Sequence, residues 1–326
     1  MKRLIVAAVT LGLLAALDVA LPRVLNPYIM RVLMLCGISI VLAVSLNLIN
    51  GFTGQFSIGH AGFMAIGAYS SAMFSMHVGV GWVRALEALG APQGLAQAAA
   101  LLVALVLGGL AAALAGYFVG LPTLRLRGDY LAIVTLGFGE IIRVIITNVD
   151  AVGAARGLPG IPAWANFFWV AVAVIAVVGV SFRIANSTHG RALFAIRDDE
   201  VAAEALGIDT TRYKVLAFVV GSFFAGLAGG LFAHYNAYLH PNSFTFLKSI
   251  EVIAMVVLGG MGSISGSVLA AIVLTLLPEL LRVVKDYRMV IYALMLIVLM
   301  IARPQGLMGA NEIRPPWRWR AARKPA

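Results

Sequence analysis

The amino-acid sequence predicts an all-α polytopic membrane protein with about ten transmembrane helices, some of them broken at glycine-rich stretches. Hydrophobic residues make up 61% of the 326 positions and charged residues only 12%, whereas soluble domains carry about a quarter charged residues. Apolar runs of about 20 residues, the length needed to cross a bilayer, recur along the chain. The runs are continuously apolar rather than alternating, which argues against a β-barrel.

The first apolar run, residues 4–21, is long for a signal peptide and lacks a clear cleavage site, so we interpret it as a retained helix. Nine further spans are predicted from apolar length. They cover residues 29–49, 57–77, 95–119, 130–148, 164–182, 215–235, 249–260, 263–281 and 289–301. The spans form one transmembrane domain over residues 1–302, and a basic tail follows over residues 303–326.

The distribution of Lys and Arg predicts the topology of the chain. Most basic residues fall in the loops and tail that are cytoplasmic if both termini are inside, as the positive-inside rule requires. The group Arg282, Lys285 and Arg288 lies on the opposite side and is the exception. Because the net charge of +10 is spread over these flanks, the bilayer is the predicted partner and nucleic acid is not.

The longest strongly polar segment, residues 183–214, separates the sixth and seventh spans on the predicted cytoplasmic side. Ser187 or Thr188 can cap a first short helix, and Gly207 suits the left-handed position after a second. The chain has no G-x-x-x-x-G-K-[ST] loop and no G-x-S-x-G elbow. We therefore expect no catalytic residues, no bound cofactor and no metal site, and we expect this segment to meet a soluble partner.

Two glycine-rich stretches, residues 51–67 and 259–266, interrupt the predicted spans. Non-helical backbone at membrane depth is tolerated inside protein or beside water, so the stretches indicate either a transport pathway or tight hairpins at the membrane surface. Glu140 and Arg143 share a helix face and can form an ion pair. The candidate pathway residues are Gln55, Ser57, His60, Tyr69, Glu140 and Glu251.

Several ordered blocks of the sequence resemble the M-type permease subunit of branched-chain amino acid ABC transporters. The first is SLNLINGFTGQFSIGHAGFMAIGAY at residues 45–69, and the most polar is GRALFAIRDDEVAAEALGI at residues 190–208. The remaining blocks are at residues 122–143, 214–235 and 249–281. Together they cover most of residues 40–282.

The resemblance implies a multi-pass subunit of the bacterial inner membrane that imports leucine, isoleucine and valine by alternating access. Its implied partners are a second, H-type permease, two cytoplasmic ATPases that use ATP and Mg²⁺, and a periplasmic amino acid-binding protein. Residues 190–208 would be the segment on which the ATPases dock. The residues that fall on this implied coupling pattern are Gly190, Arg191, Arg197, Asp198, Glu200, Ala203, Leu206 and Gly207.

Three other functions remain open on the sequence. Urea and short-chain amide importers share the same blocks, and no residue identifies the cargo. An ion-coupled secondary transporter would require acids in the middle of the membrane, for which Glu140 is the one convincing candidate. A structural membrane anchor fits poorly with two interrupted spans.

Overall fold

The computed structural model describes residues 2–123, 129–281, 290–291, 293–294, 297–298, 301, 306–309 and 312. These residues are almost entirely helical, which confirms the predicted fold class. One antiparallel pair of two-residue strands, Leu158–Pro159 with Tyr238–Leu239, is the sheet in this part of the chain. The predicted tenth span, the group Arg282, Lys285 and Arg288, and the tail lie largely outside the described residues.

Twelve α-helices follow one another in the described chain up to Leu280. They are α1 (Lys2–Val24), α2 (Pro27–Asn50), α3 (His60–Phe74), α4 (Val80–Ala88), α5 (Gln93–Thr123), α6 (Asp129–Asn148), α7 (Phe167–Ala185), α8 (Thr188–Asp198), α9 (Glu200–Ala205), α10 (Thr210–Asn236), α11 (Phe246–Gly259) and α12 (Ile264–Leu280). A π-helical turn, Ser75–Gly79, joins α3 to α4. Short 3₁₀ turns lie at Asp150–Val152, Ala154–Arg156 and Pro241–Phe244.

Seven helical segments of the described residues are long and apolar enough to cross a membrane. They are α2, α3 with α4, α5, α6, α7, α10, and the segment from Pro241 through α11. Helix α12 is a shorter apolar helix of 17 residues. The count of ten spans stays a prediction.

The core of the bundle lies where α10 packs against α2, α3 and α5. Small residues permit this close approach: a Cβ at Gly67 of α3 would lie 2.1 Å from Gly226 Cα of α10. A Cβ at Gly116 of α5 would lie 2.4 Å from Ser222 Oγ. Tight packing, the structural role expected of such small-residue spacing in lipid, is thus observed at these positions.

Both glycine-rich stretches fall where one helix ends and the next begins. Residues 51–59 connect α2 to α3, and residues 260–263 connect α11 to α12. Gly54, Gly260 and Gly262 have φ values of 70°, 102° and 90°, which a right-handed helix excludes. The second stretch forms a tight hairpin, which is one of the two alternatives that the sequence left open.

The C-terminal part of α1 makes a polar contact with the N-terminus of α7, which is the end of α7 away from α8. Asp18 Oδ1 accepts a hydrogen bond from Phe168 N at 3.1 Å, and Asp18 Oδ2 accepts one from Asn166 Nδ2 at 2.8 Å. The carboxylate thus lies at the N-terminus of α7, where negative charge is favourable. This contact gives α1 a structural role in the bundle.

Candidate functional site

The polar segment folds as two short helices at the end of α7. Ser187 caps α8 by accepting a hydrogen bond from Gly190 N. Asp199 caps α9 by accepting hydrogen bonds from Val201 N and Ala202 N. Gly207 has a φ of 81°, which suits its position after α9. The Ser187 cap and the left-handed Gly207 agree with the sequence predictions.

Arg197, near the end of α8, contacts both glycine-rich turns. Its Nη1 donates to Gly51 O at 3.4 Å, and a Cβ at Gly262 would lie 2.8 Å from the same nitrogen. The guanidinium also lies 5.1 Å from the centre of the Phe194 ring, and that ring packs on Phe52. We call Gly51–Gly54 the first glycine turn and Gly259–Gly262 the second glycine turn.

Asn47 of α2 contacts both glycine turns, and its backbone oxygen accepts a hydrogen bond from Gly51 N of the first turn at 2.9 Å. Its side chain is fully buried; Oδ1 accepts from Gly262 N at 2.8 Å, and Nδ2 donates to Ser263 O at 3.1 Å. The sequence analysis did not single out this residue. An asparagine inside an apolar run was the available signal, since buried amides are retained where they satisfy backbone groups.

A C-terminal strap, residues 306–309 with Glu312, lies on the second glycine turn. Leu307 N donates to Leu258 O at 2.7 Å, and Met308 N donates to Gly259 O at 3.4 Å. Glu312 Oε1 accepts from Ile264 N at 2.5 Å, at the N-terminus of α12. Burial raises the pKa of the Glu312 carboxyl, and the hydrogen bond from Ile264 opposes this increase.

The predicted coupling residues divide into an inward and an outward group. The inward group is Gly190, Arg197, Glu200 and Ala203, which contact the rest of the bundle, although the Arg197 side chain is itself 36% exposed. Gly190 lies against the carbonyls of Ile184 and Ala185. The outward group is Arg191, Asp198, Leu206 and Gly207, all exposed. Two apolar side chains of this surface, Val201 and Leu206, are 61% and 80% exposed.

Glu200 forms an ion pair with Lys214 of α10. Its Oε2 lies 2.6 Å from Lys214 Nζ, and the lysine side chain is only 4% exposed. The pair fixes the start of α9 on the start of α10. Glu200 therefore has a structural role in addition to any role in partner binding.

Three predicted pathway residues lie between the first glycine turn and the first residue of α3, which is His60. Gln55, Ser57 and His60 are buried, and Gln55 Oε1 and Nε2, Ser57 Oγ and His60 Nδ1 have no hydrogen-bond partner among the residues that the structure describes. His60 Nε2 lies 2.9 Å from Ser45 Oγ. Ser45 lies about 8 Å along α2 from the end of that helix. Because His60 is the first residue of α3 and contacts Ser45, α3 begins inside the bundle.

The other predicted pathway residues are distributed over three helices. Tyr69 is buried in α3, and its ring packs on Phe244. Its hydroxyl has no hydrogen-bond partner within the described part of the chain. Glu140 pairs with Arg143 Nε at 2.7 Å, as predicted, and Glu251 pairs with Lys248 at 3.0 Å. The structure thus brings Gln55, Ser57 and His60 into one segment and places the others on separate helices.

A cleft lies between α3, α6 and the start of α11. Its polar lining includes Glu140, Thr245 and Ser249, and its apolar walls include Ile58 and Phe246. Ser249 Oγ accepts a hydrogen bond from Ala61 N at 3.0 Å, which joins the first turn of α3 to that of α11. No group of three potential metal-ligating side chains occurs among the described residues.

Comparison with known proteins identifies the family. Residues 28–300 match the model described as the permease component of the branched-chain amino acid transport system. The chain is 38% identical over 306 residues to the high-affinity branched-chain amino acid transport system permease protein LivM of Salmonella typhimurium, covering 83% of this chain and 68% of that protein. No solved structure matches the chain.

Two further relatives come from Escherichia coli. The LivM protein is 37% identical over 330 residues, covering 90% of this chain and 73% of that protein. The LivH permease protein is 30% identical over 147 residues, covering 44% of this chain and 47% of that protein. The family match and the LivM similarity both span most of the described helices. The chain therefore belongs to the family of permease components of branched-chain amino acid transport systems.

Proposed function

We propose that this chain is a transmembrane permease subunit of an ABC importer for leucine, isoleucine and valine. It acts with a second permease, two cytoplasmic ATPases and a periplasmic amino acid-binding protein. The family and both LivM relatives support the transport role and the cargo. The similarity to LivH, a second kind of permease protein, supports a heteromeric pair.

The observation that carries the mechanism is the placement of Arg197. It lies on a helix with an exposed outer surface and contacts both glycine turns on its inner side. These turns end α2 and α11 and precede α3 and α12. A displacement of α8 by a docked ATPase therefore reaches four helices through one side chain.

The mechanism is alternating access driven from outside the chain. ATP binding closes the ATPase dimer, α8 and α9 follow it, and the glycine turns carry the movement to α3 and α11. The pathway at the interface with the second permease then opens inward. In this proposal the pathway is lined by the predicted pathway residues, of which Glu140 lines the cleft.

The location follows from the same assignment. The multi-pass chain lies in the bacterial inner membrane with both termini in the cytoplasm, because α8 and α9 must face the ATPases. The relatives favour branched-chain amino acids over urea or short-chain amides. ATP is bound by the partners and not by this chain, which lacks an ATP-binding loop.

Copurification and uptake test the proposal. The tagged permease, expressed with the genes beside its own, should bring down an ATPase and a second permease. Vesicles that contain the assembly and a binding protein should take up leucine with ATP, and excess isoleucine, but not urea, should compete. Leucine uptake driven by an ion gradient, with no ATPase copurified, would instead establish a secondary transporter.

A further inference from the structure

Two ion pairs lie at the surface of the apolar helices α6 and α11. In α6, Arg143 Nε lies 2.7 Å from Glu140 Oε2, and the two side chains are 29% and 36% exposed. In α11, Lys248 Nζ lies 3.0 Å from Glu251 Oε2, and these side chains are 25% and 36% exposed. Helix α6 contacts α11, so the exposed faces of the two helices form one continuous surface, which we call the α6–α11 side.

The contacts of α3 show that both ion pairs lie at a similar depth. Ala61 N donates a hydrogen bond to Ser249 Oγ of α11, and a Cβ on the next residue, Gly62, would lie 2.9 Å from Gly139 Cα of α6. Each of these contacts directly adjoins one of the ion pairs in sequence. The pair of α6 begins about 16 Å from the first residue of that helix and about 12 Å from the last. Both pairs are therefore near the middle of the span.

A surface with charges at this depth is unfavourable in lipid. A charged side chain at the centre of a bilayer costs about 3 kcal/mol on insertion scales, and such side chains face protein or water. Two other exposed helices differ, because α5 contains no Asp, Glu, Lys or Arg, and α7 contains only Arg183, in its last turn. The α6–α11 side is therefore covered by protein, whereas α5 and α7 are suited to lipid.

A glycine in the middle of α6 leaves room for a neighbouring backbone. Gly137 is exposed, and a Cβ there would meet nothing within 4 Å in the described chain. Packing within the chain thus does not require a glycine, which weakens a helix by about 1 kcal/mol relative to alanine. Gly137 lies one turn before Glu140, on the same face of the helix. Small residues on such a face allow a helix of another subunit to approach closely in lipid.

We propose that the α6–α11 side is the interface with the second permease subunit. The similarity to LivH over 147 residues supports a partner of the same family, and related chains most often pair about a two-fold axis through the same surface on each. The partner presents polar groups to the two ion pairs, and the translocation pathway runs between the subunits beside α6 and α11. This inference rests on the proposed function and assigns the surface that the partner covers.

A bulky side chain at Gly137 tests the interface. Gly137→Leu should lower the amount of second permease that copurifies with the tagged chain at least fivefold, because the added side chain has space in the free subunit but not against the partner. Gly179→Leu is the matched control, since Gly179 is an exposed glycine of α7 whose Cβ also meets nothing within 4 Å. It should copurify with wild-type amounts of the partner. Equal amounts with the two variants overturn the interface.

Photo-crosslinking in the assembled importer identifies the chain that lies on this surface and does not depend on a disruptive substitution. A photoreactive amino acid replaces Ile141 of α6 or Leu247 of α11, which are 54% and 73% exposed. The control positions are Leu110 of α5 and Ile175 of α7, each 54% exposed. Crosslinks to the second permease should form from the first two positions and not from the controls.

Three crosslinking results would overturn the interface. They are no product from either position of the α6–α11 side, equal yields from the control positions, and products that join two copies of this chain. A wild-type preparation with which no second permease copurifies would instead overturn the proposed function.

Discussion

At the scale of single residues, the ion pair between Glu200 and Lys214 changes how the coupling segment is understood. The sequence placed Glu200 on the outer, partner-facing pattern. The structure pairs it with a lysine whose side chain is 4% exposed. A buried charge that loses its partner is strongly destabilising, so replacing Glu200 affects the fold as well as any docking.

We predict that Glu200→Gln lowers the free energy of unfolding by about 3 kcal/mol, because Lys214 keeps a buried charge without its carboxylate. Thermal unfolding in detergent checks this change. Adding Lys214→Met should recover most of the loss, since the buried charge is then absent. A single variant as stable as the wild type would contradict the assigned role of the pair.

The sequence identified residues better than it identified their partners. It selected Gln55, Ser57 and His60 because they lie in the first glycine-rich stretch, and all three are buried. It missed Asn47, which joins two turns that are about 210 residues apart along the chain. Contacts of this range depend on how helices cross, which local pattern does not encode.

At the scale of helices, the crossing of α3 and α10 depends on glycine. The backbones approach so closely at Gly67 and Gly226 that a Cβ has no space. Close approach of this kind supplies packing and weak hydrogen bonds where lipid gives no hydrophobic driving force. The crossing fixes α3, and with it the helix start that lines the cleft.

Gly67→Ala should destabilise the protein by about 2 kcal/mol, because the methyl group would force α3 and α10 apart. Gly179→Ala is the matched control in α7, where a Cβ would meet nothing within 4 Å. It should be neutral or stabilising by up to about 1 kcal/mol through helix propensity. Equal unfolding midpoints for the two variants would contradict the close crossing.

The C-terminal strap is a second element that determines the position of a glycine turn. It hydrogen-bonds to Leu258 and Gly259 and caps α12 through Glu312. Since Arg197 contacts the same turn on another side, the strap and α8 hold it jointly. Sequence could not reveal this, because the strap has neither helical periodicity nor a motif.

Docking of the strap should depend on pH. Burial raises the pKa of Glu312 above its ordinary value of 4.5, so the docked form binds a proton more tightly than the free form. The contribution to docking is fully present below pH 4.5 and is lost as the pH rises through the raised pKa. Amides of residues 258–264 should exchange faster at neutral than at acid pH, after correction for intrinsic rates.

Glu312→Gln provides the control for this prediction. The amide is neutral at all pH values and can still accept from Ile264 N, so exchange should lose its pH dependence while the strap stays docked. If the amides of residues 258–264 in the wild-type protein exchange at equal corrected rates at both pH values, Glu312 does not titrate in this range.

At the scale of the whole molecule, the polar segment of α8 and α9 contacts the glycine turns that connect α2 to α3 and α11 to α12. The fold class and the family were predictable from apolar length and ordered blocks, whereas the cytoplasmic side of the polar segment stays a prediction. The start of α11 at Phe246 was not predicted, because apolar length does not show where a helix begins inside protein.

In the proposed mechanism, Arg197 transmits the movement of the ATPases to both glycine turns. The most direct measurement is the number of leucine molecules imported per ATP hydrolysed by the reconstituted importer. Arg197→Ala should still bind the ATPases and hydrolyse ATP but should import at least about fivefold less leucine per ATP. Arg212→Ala, an exposed arginine at the start of α10, should match the wild type. An unchanged ratio in the Arg197 variant would contradict the account.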